Sequence, residues 1–199
     1  MDLTIDGFDA IMFDLDGTLV DTMPLHYRAY ASALERRGIV LDWSTYMSVV
    51  GPPAREAIRR FVHASGHDCD EDQAAEIHAQ KKAIFEQDLD GADVPLLPAA
   101  DFLRRIQGVK RCALVSSGNR QGVEAIVRAL GWTSWFETIV TGDDVVHGKP
   151  HPEPYLRAAH ALSVPPECCL ALEDTKDGLA SARAAGMSTL DVTALSAAS

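Results

Sequence analysis

Positive charge is scarce in this sequence. Eighteen lysines and arginines stand against 29 aspartates and glutamates, a formal net charge of -11. A surface of that sign repels a phosphate backbone and an anionic headgroup, so neither nucleic acid nor a membrane surface is an expected partner. Long apolar runs are missing too: none reaches the ~18 residues that a membrane-spanning helix needs. The first residues, MDLTIDGFDA, are acidic and lack the basic-then-apolar pattern of a secretory leader. A cytoplasmic location is the expectation. Cysteine is sparse, with four residues (Cys69, Cys112, Cys168 and Cys169) and no C-x-x-C pair. Cys112 and Cys168-Cys169 lie in strand-like runs, and all four read as reduced, inert thiols rather than metal or redox ligands. There is no internal repeat, and low complexity is confined to the tail ALSAAS.

What is present is a core. The 199 residues are 47% apolar, enough for one sizeable domain or a core with a smaller insert. Short apolar runs read as strands: Ala10–Asp14, Cys112–Ser116, Thr138–Thr141, Cys169–Glu173 and Ser188–Val192. Helical patterns separate the later ones. Val123, Ile126, Val127 and Leu130 recur at helical spacing, with Gly131 at the C-terminal cap position. Pro152 starts a helix with Leu156, Ala159 and Leu162 inward, and Thr175 caps another that ends at Gly186. This alternation predicts an α/β fold, a parallel sheet with helices on both faces. From about Thr22 to Val94 the alternation stops. Three amphipathic helices are expected there, the first burying Leu25, Tyr30, Ala33 and Leu34. The interval is bordered by Pro24 and by the turn-rich Asp90–Pro95. The organisation expected is a Rossmann-like core over 1–21 and 95–199, with a helical cap over 22–94.

The stretch FDLDGTLVDT, Phe13–Thr22, closes the first strand with two carboxylates one residue apart. In open α/β sheets ligands bind outside the carboxyl ends of the strands. Asp14 and Asp16 stand at such an end, and Gly17 and Thr18 allow a tight turn whose N–H groups face an anion. Two close carboxylates repel unless a cation joins them, and Mg²⁺ held by few carboxylates plus substrate phosphate is the usual solution. An EF-hand also begins D-x-D, but Leu19 and Leu25 stand where its glycine and terminal glutamate belong. The other strand ends carry Ser116 and Ser117, then Lys149 in HGKPHPEPY, then Glu173 and Asp174 in LALEDTKDG. In a parallel sheet these open on one edge with Asp14 and Asp16. Separately, Ser116 is also a helix cap in type, Lys149 a solvated lysine, and Glu173-Asp174 an acidic helix start. Their joint order favours a site.

DLDGT (Asp14–Thr18), VSS (Val115–Ser117), KPHP (Lys149–Pro152) and LED (Leu172–Asp174) occur in the order of the haloacid dehalogenase (HAD) superfamily and span nearly the whole chain. The sequence resembles that superfamily's β-phosphoglucomutase-like branch. It is similar there to compact bacterial phosphatases of fructose-1-phosphate and 6-phosphogluconate. The resemblance implies a three-layer Rossmann-like core with a small α-helical cap inserted after the first strand. It also implies hydrolysis of a small phosphorylated sugar by a Mg²⁺-dependent enzyme; a monomer is the expectation. Asp14 would be the nucleophile forming an aspartyl phosphate, and Asp16 the general acid/base. Ser116 and Lys149 would hold the phosphoryl oxygens, helped by groups around Ser117, Gly118 and Asn119. Mg²⁺ would be held by Asp14, the Asp16 carbonyl and Asp174, with Glu173 nearby. Asp177 would reach the metal only through water, or be solvated.

Thr22 and His26 match a core–cap linker pattern of that branch, where the histidine couples cap closure to the acid/base aspartate. Arg55 resembles a cap arginine that grips the distal part of the substrate, although one extra residue separates it from Gly51 compared with the mutases. A cap lysine falls at Lys81 or Lys82. LLPAA, Leu96–Ala100, replaces the mutases' PG, and His151 replaces a small residue after KP. Both lean towards phosphatase. The rivals are a β-phosphoglucomutase, a non-catalytic sugar-phosphate-binding protein and, more weakly, a dehalogenase.

Overall fold

The computed structural model describes residues 5–49, 54–89 and 94–196. Gly51 and most of the turn expected at 90–95 lie outside the described residues. The chain divides into two compact units, Met1–Thr22 with Asp93–Ser199, and Met23–Ala92.

In the first unit, β1 (Ala10–Phe13) is buried at all four positions. It reads as an unbroken apolar run because it is a central strand with both faces covered. The second unit follows in the chain: α1 (Met23–Glu35), α2 (Trp43–Val49), α3 (Ala54–Ala64) and α4 (Glu71–Leu89). The first unit then resumes with α5 (Pro98–Ile106), β2 (Arg111–Val115), α6 (Arg120–Ala129) and β3 (Thr138–Val140). It closes with α7 (Glu153–Leu162), β4 (Cys169–Glu173), α8 (Lys176–Ala184), β5 (Ser188–Asp191) and α9 (Thr193–Ser196).

The five strands form one sheet in the order β3-β2-β1-β4-β5, and every pairing is parallel. This is the α/β architecture that the alternating pattern implies. Helices cover both faces. Met12, Ala113, Val115 and Ala171 share a buried cluster with Tyr155, Ala158 and Leu162 of α7 and Ala182 of α8. Phe13, pointing the other way, meets Phe102 of α5 at 6.1 Å and Phe136 at 6.4 Å between ring centres. Register sets the level of the strand ends. Phe13 pairs with Leu114 on one side and Leu172 on the other. Asp14 then donates its N–H to Leu172 O at 3.1 Å, and Ser116 donates its own to Val140 O at 2.9 Å.

Thr175 caps α8 by accepting from Gly178 N–H, and Gly131 follows α6 with φ of 70°. One inward assignment fails. Leu156 is 42% exposed, and the buried face of α7 is Pro154, Tyr155, Ala158, Ala159 and Leu162. Helix α7 starts one residue after Pro152, which shifts the stripe towards Tyr155.

The second unit has four helices among the described residues where three were expected. The unforeseen one, α2, buries only Tyr46 and starts on Asp42, whose carboxylate accepts from Thr45 N–H at 2.9 Å. Pro24 lies inside α1 rather than bounding it. The unit has its own core, including Tyr30, Leu34, Tyr46, Ile58, Phe61 and Ile77.

Candidate active site at the strand ends

The carboxyl end of the sheet gathers acids around one buried lysine. Lys149 follows β3 by way of a loop and is joined to Pro150 by a cis peptide bond. Its Nζ donates to Asp14 Oδ1 at 2.7 Å, Val115 O at 2.8 Å and Glu173 Oε1 at 2.5 Å. An ammonium has three donors, so all are engaged. Its side chain is 6% exposed. The loop that delivers it is braced by Thr141, whose N–H and hydroxyl both donate to Asp144 Oδ2. Arg120 at the start of α6 pairs with the same carboxylate at 2.5 Å.

Glu173, the last residue of β4, is fully buried. It accepts from Lys149 and from the Tyr155 hydroxyl at 2.7 Å. Asp174 accepts from the Thr18 hydroxyl at 3.1 Å. Gly17, with φ of 86°, lies so close that a Cβ there would fall 2.3 Å from Asp174 Oδ2. The turn was expected to aim N–H groups at an anion. Instead, Gly17 N–H closes the turn on Val20 O at 2.8 Å, and the turn's chemical contribution is the Thr18 hydroxyl. Thr22, fully buried, donates its hydroxyl to Asp16 Oδ1 and so orients that carboxylate.

Asp14, Glu173 and Asp174 each offer an oxygen within 4.8 Å of the others. Burial pushes the Asp14 carboxyl up to about 8, against the pull of Lys149, with Glu173 and Asp16 adding to the rise. Burial also raises Asp174, and Glu173 adds to it. Burial pulls Lys149 down, but Asp14 and Glu173 outweigh it and hold the ammonium above its ordinary range. One buried ammonium cannot neutralise three neighbouring carboxylates. An oxygen-only donor set short of positive charge suits a hard divalent cation such as Mg²⁺.

Ser116 is 4% exposed, and its Oγ accepts from Gly118 N–H at 3.0 Å. It follows Val115, whose carbonyl holds Lys149, so the two phosphoryl-holding candidates are neighbours. The Ser117 carbonyl lies against Gly142, where a Cβ would stand 2.7 Å away. Asn119 has a structural task, capping α6 by accepting from Gly122 N–H at 3.0 Å.

The remaining candidates lie in the second unit. His26 Nδ1 is 2.8 Å from Lys81 Nζ, and its ring stacks on Phe85 at 4.3 Å between centres. Lys81 is buried and lies over the Tyr30 and Phe85 rings, 4.9 and 4.7 Å from their centres. Of the two lysines left open, it is the one joined to His26. Burial, then Lys81, lowers His26 to about 3. Its ring is therefore neutral, with Nδ1 accepting from Lys81. Arg55 pairs with Glu71 at 3.0 Å on an exposed face of α3 and α4, where Arg59 takes the same carboxylate.

Sequence reasoning missed Tyr155 and Gly178, and gave Thr18 a turn role without its hydroxyl bond to Asp174. Tyr155 stands in the quoted HGKPHPEPY run, but only its inward place on α7, one residue before Leu156, marks it. A Cβ on Gly178 would lie 2.0 Å from the Glu173 carboxylate.

A parallel α/β sheet that gathers a buried lysine and acids at its strand ends has the layout of an active site. The family model for haloacid dehalogenase-like hydrolases matches residues 8–186, and the chain belongs to that family. It is 30% identical to the fructose-1-phosphate phosphatase YqaB of Escherichia coli, over 93% of this chain and 96% of that one. It is 32% identical to a phosphorylated carbohydrates phosphatase of Thermotoga maritima, over 90% and 82%. Among solved structures, CbbY from Rhodobacter sphaeroides in complex with phosphate superposes with a TM-score of 0.80 at 32% identity. That match covers 92% of this chain and 84% of that one.

Proposed function

We propose that this chain is a Mg²⁺-dependent phosphatase of small sugar phosphates that works through an aspartyl phosphate on Asp14. As a phosphoric monoester hydrolase it shares its class with the named phosphatases above, and these support sugar phosphate as the substrate class. The observation that carries the mechanism is the Lys149 ammonium, held 2.7 Å from Asp14 and beside the Ser116 strand end. A buried positive charge beside Asp14 supports the reading, because a phosphoryl oxygen comes next to Asp14 when it attacks phosphorus.

In the first step an Asp14 oxygen bonds to phosphorus and the phosphorus–oxygen bond to the sugar breaks. Asp16, oriented by Thr22, gives its proton to the departing oxygen. In the second step Asp16 takes a proton from water as the water oxygen bonds to phosphorus. The bond to Asp14 then breaks, releasing inorganic phosphate and restoring the carboxylate. Ser116, and Lys149 by turning to the phosphate the N–H it now gives Asp14, hold the phosphoryl oxygens through both steps. Asp14, Asp174 and the Asp16 carbonyl would hold Mg²⁺, which supplies the charge that lets a carboxylate approach a phosphate dianion. We place the enzyme in the cytoplasm, on its four free thiols.

The test is phosphate release from fructose-1-phosphate, 6-phosphogluconate and β-glucose-1-phosphate, with Mg²⁺ and with EDTA. Metal-dependent release with one favoured substrate is expected. Glucose-6-phosphate forming from β-glucose-1-phosphate without phosphate release would make the enzyme a mutase instead.

A further inference from the structure

We propose that Glu173 is the seat of Lys149 rather than a metal ligand, and that the Tyr155 hydroxyl is the positioning group that keeps it there. The part played by Lys149 rests on the phosphatase reading; the division of labour between the two acids does not.

Both oxygens of the Glu173 carboxylate already have protein donors. Oε1 accepts from Lys149 at 2.5 Å and Tyr155 at 2.7 Å. Oε2 accepts from the Thr175 hydroxyl at 3.2 Å, with Thr175 N–H at 3.5 Å. Four donors around one carboxylate approach its whole acceptor capacity. The group has no exposed surface. Its far side is walled by Gly178, where even a methyl would lie 2.0 Å away. To ligate an ion it would have to abandon donors inside a buried site, which is costly. Asp174 differs: it is half-buried, and the Thr18 hydroxyl is its side-chain partner at 3.1 Å.

Tyr155 touches both members of the pair. Its hydroxyl holds Glu173, and its ring lies 5.3 Å from Lys149 Nζ. The ring is fully buried in α7, so it fixes the lysine's height above the sheet edge. Removing only the hydroxyl leaves the ring in place. Glu173 then keeps one fewer donor, and the lysine loses its defined position without losing its charge.

The experiment compares Tyr155→Phe, Glu173→Gln and Asp174→Asn with the parent protein. Mn²⁺ affinity is read by electron paramagnetic resonance, inorganic phosphate affinity by calorimetry, and folding by thermal melting. Asp174→Asn should weaken Mn²⁺ binding at least tenfold. Glu173→Gln and Tyr155→Phe should leave it within threefold and weaken phosphate binding at least tenfold and threefold respectively. The double variant should bind phosphate no worse than Glu173→Gln alone, because the hydroxyl acts only through the carboxylate. A tenfold loss of Mn²⁺ affinity in Glu173→Gln would overturn the assignment. So would additive losses in the double variant, or unchanged phosphate binding in Tyr155→Phe. If Glu173→Gln does not fold, Tyr155→Phe decides alone, since its ring and volume are conserved. A parent protein inert on every sugar phosphate would sink the phosphatase reading but leave these binding comparisons decisive.

Discussion

Gly17 and Gly131 make a matched pair of perturbations. Both have left-handed backbone, φ of 86° and 70°, so alanine at either costs roughly 1–2 kcal/mol of backbone strain. At ~2–4 °C per kcal/mol for a chain of this size, each variant should melt a few degrees lower. They differ in what the new methyl meets. At Gly131 nothing lies within 4 Å. At Gly17 the methyl falls 2.3 Å from Asp174 Oδ2 and 2.8 Å from its Cγ. Ordinary contact begins at about 3.5 Å, so the carboxylate must move by about 1 Å and loses its bond from Thr18. Disturbing the group that orients a metal ligand typically costs ~10–100-fold in metal affinity. Gly17→Ala should therefore need at least tenfold more Mg²⁺ for half-maximal phosphatase activity, while Gly131→Ala matches the parent. Activity titrated against Mg²⁺, with melting curves alongside, reads both effects. Equal Mg²⁺ requirements in the two variants would refute the placing of Asp174 at the metal.

Metal binding should depend on pH. Without metal the folded protein holds the Asp14 proton up to about 8, against an ordinary 3.8. Between those values the unfolded chain has lost a proton that the folded one keeps, so this group lowers metal-free stability as pH rises towards 8. Metal must displace that proton, so Mn²⁺ affinity should climb from pH 6 to 8 and level above it; a flat profile would contradict the buried, proton-bearing Asp14. His26 should stay neutral throughout. Nitrogen-15 spectra should show one tautomer, protonated at Nε2, with no titration from pH 8 to 5. A midpoint near the ordinary 6.5 would mean that Lys81 does not hold the ring.

The fold was legible where sequence pattern and strand position coincide. Five apolar runs became five strands to within a residue at each end, because a parallel sheet covered on both faces needs continuous apolar segments. The acids, Ser116 and Lys149 were legible because parallel strands bring their C-terminal residues to one edge whatever lies between. Contacts made across the fold were not. The Tyr155–Glu173 bond joins residues that no local periodicity relates. The approach of Gly17 and Gly178 to the two acids depends on how closely a turn and a helix start fit the strand ends. Helix α2 escaped because one buried residue makes no stripe. Leu156 was misplaced because an apolar residue beside Tyr155 scores as core until the start of the helix fixes its phase.

The claim at the centre of this account is a covalent bond between Asp14 and phosphorus. The most direct measurement is to quench the enzyme during turnover, reduce it with borohydride and map the products by mass spectrometry. An acyl phosphate at Asp14 should appear as homoserine at position 14, absent without substrate. Reduction at another carboxylate, or full turnover with residue 14 unmodified, would contradict it.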